Sequence, residues 1–225
     1  MTALLTLSHG SRHPQAPADT EALTREAARR AEASNYRAAH LEFNTPDLTT
    51  AARELAEAGE REAIVVPLLF TQGFHHRHDV PRALDDAAAT SGLNLHLAEG
   101  LGTGWDMART LARRARPARQ YVVYSVGSAD DNANLAVAEL ANKVEELTGV
   151  PTQEAFATRG GAEMIRGEDA LDLDVLPLFV AHGLLLDKLP AAYQRPLGTA
   201  LAEVVADRYL TGVDGIAYHR EKVGL

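Results

Sequence analysis

Apolar residues along this chain gather into short runs separated by longer amphipathic stretches. The runs at 3–8, 37–43, 62–70, 93–98, 120–126, 150–155 and 172–180 predict strands. They are near-continuous in aliphatic residues, as in parallel strands buried on both faces. Helical spacing predicts helices over 17–33, 47–58, 78–91, 104–116, 130–148, 159–167 and 195–210. In 130–148, Leu135, Val137, Ala138, Ala141, Val144 and Leu147 approximate one stripe of 3.6-residue period. Asp19 or Thr20 would cap the first helix and Asp47, after Pro46, the second. Gly59, Gly92 and Gly149 each follow a helical stretch and mark its end. Alternating strand and helix predicts an α/β fold of parallel sheets covered by helices.

The same pattern occurs twice. Leu5-Thr6-Leu7-Ser8-His9-Gly10-Ser11 aligns with Val122-Val123-Tyr124-Ser125-Val126-Gly127-Ser128. Ile64 through Phe70 then aligns with Asp174 through Val180, with Gly73 opposite Gly183. This predicts a tandem duplication, with halves 1–116 and 117–225 meeting near Pro117. Two similar halves facing each other form a cleft, a usual place for a ligand.

The duplication makes one pair of residues stand out. His9 follows the first strand and His75 the third, so both lie at C-terminal strand ends, where open α/β sheets bind ligands. In the second copy Val126 replaces His9 and Leu185 replaces His75. One half keeps two imidazoles and the other keeps only the scaffold. A single histidine at a strand end is more often structural; a pair at equivalent positions, lost together, points to a metal. Imidazole suits Fe, Co, Ni, Cu or Zn rather than Mg or Ca. Two ligands hold an ion loosely, which serves transfer better than structure.

Other residues crowd these positions. Glu42, in Leu41-Glu42-Phe43, is acidic within an apolar strand, which is costly unless paired or functional; the plain alternative is exposure on an edge strand. A carboxylate there could accept protons or complete a metal shell. Arg12, Arg77 and Arg82 flank the histidines and could pair with ligand carboxylates. His76 could assist or point away; His78 reads as part of a solvated loop, and His182 either faces the same cleft from the second half or, more plainly, is a hydrogen-bonded loop histidine.

Composition narrows the partners. The net charge of −9 argues against nucleic acid, which needs a basic face. Cysteine is absent, excluding thiolate metal sites and Cys nucleophiles. No apolar run approaches the roughly 18 residues of a membrane span. No signal peptide is apparent at Met1-Thr2-Ala3-Leu4-Leu5, so a cytoplasmic protein is expected. Gly100-Leu101-Gly102-Thr103-Gly104 lacks the last spaced glycine of a dinucleotide fingerprint, and no Walker A or Gly-x-Ser-x-Gly elbow is present. A phosphate site at Gly10-Ser11 lacks a partner motif.

Together these segments resemble the class II chelatases of tetrapyrrole biosynthesis, in the long form of the sirohydrochlorin ferrochelatases and cobaltochelatases. The resemblance rests on His9-Gly10-Ser11-Arg12, Leu41-Glu42, Val66-Pro67-Leu68 leading into Gly73-Phe74-His75, and Asp79-Val80-Pro81. Leu176-Pro177-Leu178-Phe179 through Asp187-Lys188-Leu189 is also similar. Phe74, where relatives often carry Gly, and His78, where they often carry an acid, are departures. The resemblance implies insertion of Fe2+ or Co2+ into sirohydrochlorin, with His9 and His75 holding the metal and taking pyrrole protons, and Glu42 assisting. It implies arginine contacts to substrate carboxylates from Arg12, Arg77 and Arg82. The metal is then a substrate, with no tightly bound cofactor. Two halves in one chain remove one reason to dimerise, so a monomer is expected. A carrier of metal or tetrapyrrole, or a chelatase for another metal or porphyrin, is the alternative.

Overall fold

Strand side chains alternate between two apolar layers. A computed structural model describes residues 2–71, 80–166 and 172–223. Strands β1 (Ala3–Ser8), β2 (Tyr36–His40), β3 (Glu62–Pro67) and β4 (Asn94–Leu97) form a parallel sheet in the order β2-β1-β3-β4. Strands β5 (Gln120–Ser125), β6 (Thr152–Phe156) and β7 (Leu173–Pro177) form a second parallel sheet, β6-β5-β7. Every predicted strand is present, and the α/β architecture of two helix-flanked sheets is as expected.

The duplication extends to register. Leu5 pairs with Val65 on β3, and its counterpart Val122 pairs with Val175 on β7. Beyond the strands, Leu68 donates its N–H to the Leu7 carbonyl, as Leu178 does to that of Tyr124. The copies then diverge. Where the first half has α3 (Val80–Ser91) and β4, the second has 3-10 turns at Leu186–Lys188 and Ala191–Tyr193.

Helices α1 (Ala16–Ala31), α4 (Trp105–Arg114), α5 (Asp131–Thr148) and α7 (Ala202–Val223) fill the space between the sheets. One apolar cluster spans it, from Leu4, Ile64 and Val66 of the first sheet to Val123 and Leu176 of the second. Helices α2 (Leu48–Glu57) and α3 cover the outer face of the first sheet, where Leu5, Leu7, Ala63 and Val65 point. The short α6 (Gly161–Arg166) and the turn residues Leu186, Leu189 and Tyr193 cover Val122, Tyr124 and Val175 on the other side.

The central helices are shared across the midpoint. α4, before Pro117, packs on α5, and its Leu111 and Arg114 lie beside Val175 and Leu176 of β7. α7, at the other end of the chain, returns to α1 and β3. Its Arg208 donates to the Gly100 and Leu101 carbonyls and pairs with Asp106 at 2.6 Å. A second tie is buried: Asp174 on β7 takes the Arg116 backbone N–H and the guanidinium groups of Arg116 and Arg195.

Two local expectations change. The first helix is preceded by Gln15 rather than capped by Asp19 or Thr20, with proline in its first turn. Thr20 is buried with its hydroxyl on the Ala16 carbonyl, and Asp19 is engaged across the molecule. The last helix begins at Ala202, after a 3-10 turn, and runs beyond 210 to Val223. Asp47 caps α2 as expected, accepting from the Thr50 N–H at 2.7 Å.

Where α7 crosses β3, a Cβ on Gly212 would stand 3.0 Å from Ile64 side-chain carbons. Gly212→Val therefore overpacks this contact and should cost about 1–3 kcal/mol. Urea denaturation checks it; an unchanged midpoint would contradict the packing of α7 on this sheet.

Candidate active site

The C-terminal edge of the first sheet is built by two loops that lie against each other. β1 and β2 stay paired past their ends: Leu41 N–H donates to the Ser8 carbonyl at 2.9 Å and Glu42 N–H to the His9 carbonyl at 3.0 Å. Ser11 N–H donates to Asn44 Oδ1 at 2.8 Å. Between these bonds sits Gly10, with φ +92°. A Cβ there would lie 1.8 Å from the Glu42 carbonyl oxygen, so only glycine allows the approach. Gly127 repeats the positive φ in the second half. There Thr158 N–H meets the Val126 carbonyl, making Thr158 the counterpart of Glu42. The second half has thus replaced Glu42 as well as both histidines.

His9 is partly buried at this edge, with Glu42 exposed on the neighbouring loop. Glu42 lies two residues past β2, so the cost of a carboxylate inside a strand does not arise; β2 ends earlier than its apolar pattern implied. β2 is nevertheless an edge strand. Phe43, absent from the predicted set, packs edge-on against the His9 ring with centroids 5.9 Å apart at 87°. The Arg12 guanidinium lies 4.8 Å from the centre of the Phe43 ring. Arg82 is exposed in the first turn of α3. β3 runs beside β1 and delivers the chain to Thr71 at the same edge. His75 and Arg77, with His76 and His78, lie outside the described residues. Among the described residues, no three His, Cys, Asp or Glu side chains are grouped to hold a metal ion.

The second half meets this loop directly. Ser11 Oγ donates to the His182 carbonyl at 3.4 Å. One oxygen of Asp19 contacts both the backbone N–H of His182, at 2.9 Å, and its Nδ1, at 2.6 Å. The His182 ring stacks on that of His13, with centroids 5.5 Å apart, and His13 Nε2 stands 3.6 Å from Asp187. His182 is thus a hydrogen-bonded loop histidine, as its plainer reading held. Asp19 was missed because its partner is 163 residues away.

A third histidine is structural. His40, at the end of β2, is buried, with Nδ1 2.7 Å from the Ser8 hydroxyl. Burial pushes its pKa below the ordinary value because the charged ring would lose its hydration.

A partly buried imidazole, an exposed glutamate on the paired loop and an arginine over an aromatic ring thus share the C-terminal edge of a parallel sheet, the edge at which open α/β sheets generally bind ligands. Sheets and connections of this kind recur in chelatases. SirB from Bacillus subtilis subspecies spizizenii, a sirohydrochlorin chelatase solved with cobalt, superposes with a TM-score of 0.74 at 20% identity, over 99% of this chain and 98% of that one. CbiX, described as the terminal enzyme for siroheme biosynthesis in denitrifying bacteria, gives 0.62 at 18% identity, over 92% and 99%. These likenesses establish the fold. The CbiX family model matches residues 3–118, and the chain belongs to that family. A sirohydrochlorin cobaltochelatase of Sulfurisphaera tokodaii is 39% identical over 74 residues, 33% of this chain and 59% of that protein. One from Saccharolobus solfataricus is 50% identical over 44 residues, 20% of this chain and 34% of that protein. The chain therefore spans little more than half of the first relative and a third of the second.

The buried His40 makes stability depend on pH. Its folded pKa is depressed, so the unfolded chain binds the proton more readily. The neutral form's advantage is complete above the unfolded pKa of about 6.5 and declines as pH falls below it. Urea midpoints measured between pH 7.5 and 5.5 should fall on acidification, and less steeply in His40→Asn. Equal slopes would contradict a buried neutral His40.

Proposed function

We propose that the protein is a chelatase that inserts Fe2+ or Co2+ into sirohydrochlorin, in siroheme or cobalamin biosynthesis. The observation that carries this reading is the position of His9, at the C-terminal edge of the central strand pair, within the family's segment and against the loop of Glu42. The names of the curated relatives support sirohydrochlorin as substrate.

Insertion exchanges one divalent ion for two pyrrole protons and leaves oxidation states unchanged. His9 and His75 hold the incoming ion through neutral imidazole nitrogens, with coordination positions left for water and then for the macrocycle. As the ion leaves, the imidazoles accept the pyrrole protons; Glu42, exposed on the loop paired with His9, relays a proton to solvent. Arg12, Arg77 and Arg82 pair with the substrate's carboxylates. Arg12 is suited to this where it stands: a guanidinium offers its face to a ring and keeps its N–H groups in its own plane. Stacking therefore leaves donors for a carboxylate.

In this reading the segments 1–116 and 117–225 are halves of one duplicated unit, the first holding the metal and the second closing the cleft. Both sheets share one core, so the halves act as a single body. The protein works as a cytoplasmic monomer, with the metal as substrate and no resident cofactor.

An anaerobic absorbance time course with sirohydrochlorin and Fe2+ or Co2+ tests the assignment. The protein should accelerate metallation over the spontaneous rate. His9→Ala and His75→Ala should each lower the rate at least about 10²-fold with unchanged unfolding transitions. No acceleration with either ion, together with tight one-to-one tetrapyrrole retention, would favour a carrier.

A further inference from the structure

The backbone at Phe43 is unusual. Its φ is +64°, a left-handed conformation in which a bulky side chain is a genuine outlier. The only other non-glycine residue with positive φ among those described, Glu32, caps α1, where such a conformation is common. Phe43 caps no helix. It is the centre of a three-residue turn closed by the Asn44 N–H on the Glu42 carbonyl at 2.7 Å, and a γ-turn with positive φ is rare and strained.

Neighbours enforce the turn. Ser11 N–H holds Asn44, Glu42 N–H holds the His9 carbonyl, and Gly10 fills the space under the Glu42 carbonyl. Such strain persists where the surroundings over-determine it, and it clusters at ligand sites. The phenyl ring gains little burial from it: 51% of the residue remains exposed. Core packing therefore does not account for this conformation. Its result is an aromatic ring projected beside His9 and under the Arg12 guanidinium.

The opposite side of the seam also presents apolar surface. Leu184 is 57% exposed, two residues after His182, whose carbonyl receives Ser11 Oγ. Val126, at the position of His9 in the second half, is 42% exposed. Water-facing apolar side chains on both halves at this edge suit a flat, conjugated ligand with charged margins.

We propose that Phe43 is a binding residue for the tetrapyrrole, its ring packing against the macrocycle next to the metal-holding His9, while Arg12 binds a carboxylate at the margin. This rests on the chelatase reading and adds to it a side chain that selects the organic substrate and not the metal. Phe43 should thus affect tetrapyrrole affinity and leave metal affinity alone, the opposite of His9.

The test measures metal-free sirohydrochlorin binding by its fluorescence change, and Co2+ binding without tetrapyrrole by calorimetry. The proteins are the wild type, Phe43→Gly and Phe43→Tyr. Glycine accepts the left-handed turn, so Phe43→Gly removes the ring without breaking the loop. It should bind sirohydrochlorin about tenfold more weakly, the factor expected for losing one aromatic contact together with its buried area. Its Co2+ affinity should match the wild type, and its melting temperature should stay within about 3 °C. Phe43→Tyr should bind sirohydrochlorin like the wild type. Unchanged sirohydrochlorin affinity in Phe43→Gly would overturn the proposal and leave the chelatase reading standing. Parallel loss of Co2+ binding and stability would overturn it too, making the ring structural. Failure of the wild type to bind sirohydrochlorin would remove both readings.

Discussion

Two parallel sheets share one layer of helices, and that constraint organises the molecule. The inner faces of β1 and β3 and of β5 and β7 all drain into a single apolar cluster, so neither sheet has a complete core of its own. The exchange of α4 and α7 follows from this economy: each lies against the other half's elements. Sheets locked face to face also have a fixed relative position at their C-terminal edges. The Ser11–His182 and Asp19–His182 bonds form at that seam because the shared helices bring the two edges together.

The two copies of the loop share a backbone and differ in their side chains. Gly10 and Gly127 keep the same positive φ, and Glu42 and Thr158 make the same backbone bond to residues 9 and 126. The scaffold has been retained while its side chains changed: His9 to Val126, Glu42 to Thr158.

Much of this was legible in the chain. Each of the seven apolar runs holds a strand among the described residues, and the aligned Leu5 and Val122 segments anticipated the repeated architecture, whose matching register the sequence alone did not give. His9 stood out for its place after the first strand and its loss in the copy. The helix exchange was hidden: periodicity says which face of a helix is apolar, not which sheet it will meet. Asp19 read as a helix cap because local rules cannot see a partner 163 residues away. Glu42 was placed within a strand because Leu41 and Phe43 extend the apolar run, whereas the turn at Phe43 runs against local preference. That turn is set by Gly10, Ser11 and Asn44, contacts between separate segments.

The central claim is that one divalent ion is held at the C-terminal edge of the first sheet by His9. The most direct measurement is a crystal of the protein soaked anaerobically in Co2+, with anomalous diffraction recorded on both sides of the cobalt absorption edge. One strong cobalt peak is expected about 2.0–2.1 Å from an imidazole nitrogen of His9, a usual metal–imidazole distance, with His75 as its second ligand. A peak that leaves His9 without a bond to the metal, or cobalt bound in the second half instead, would contradict it.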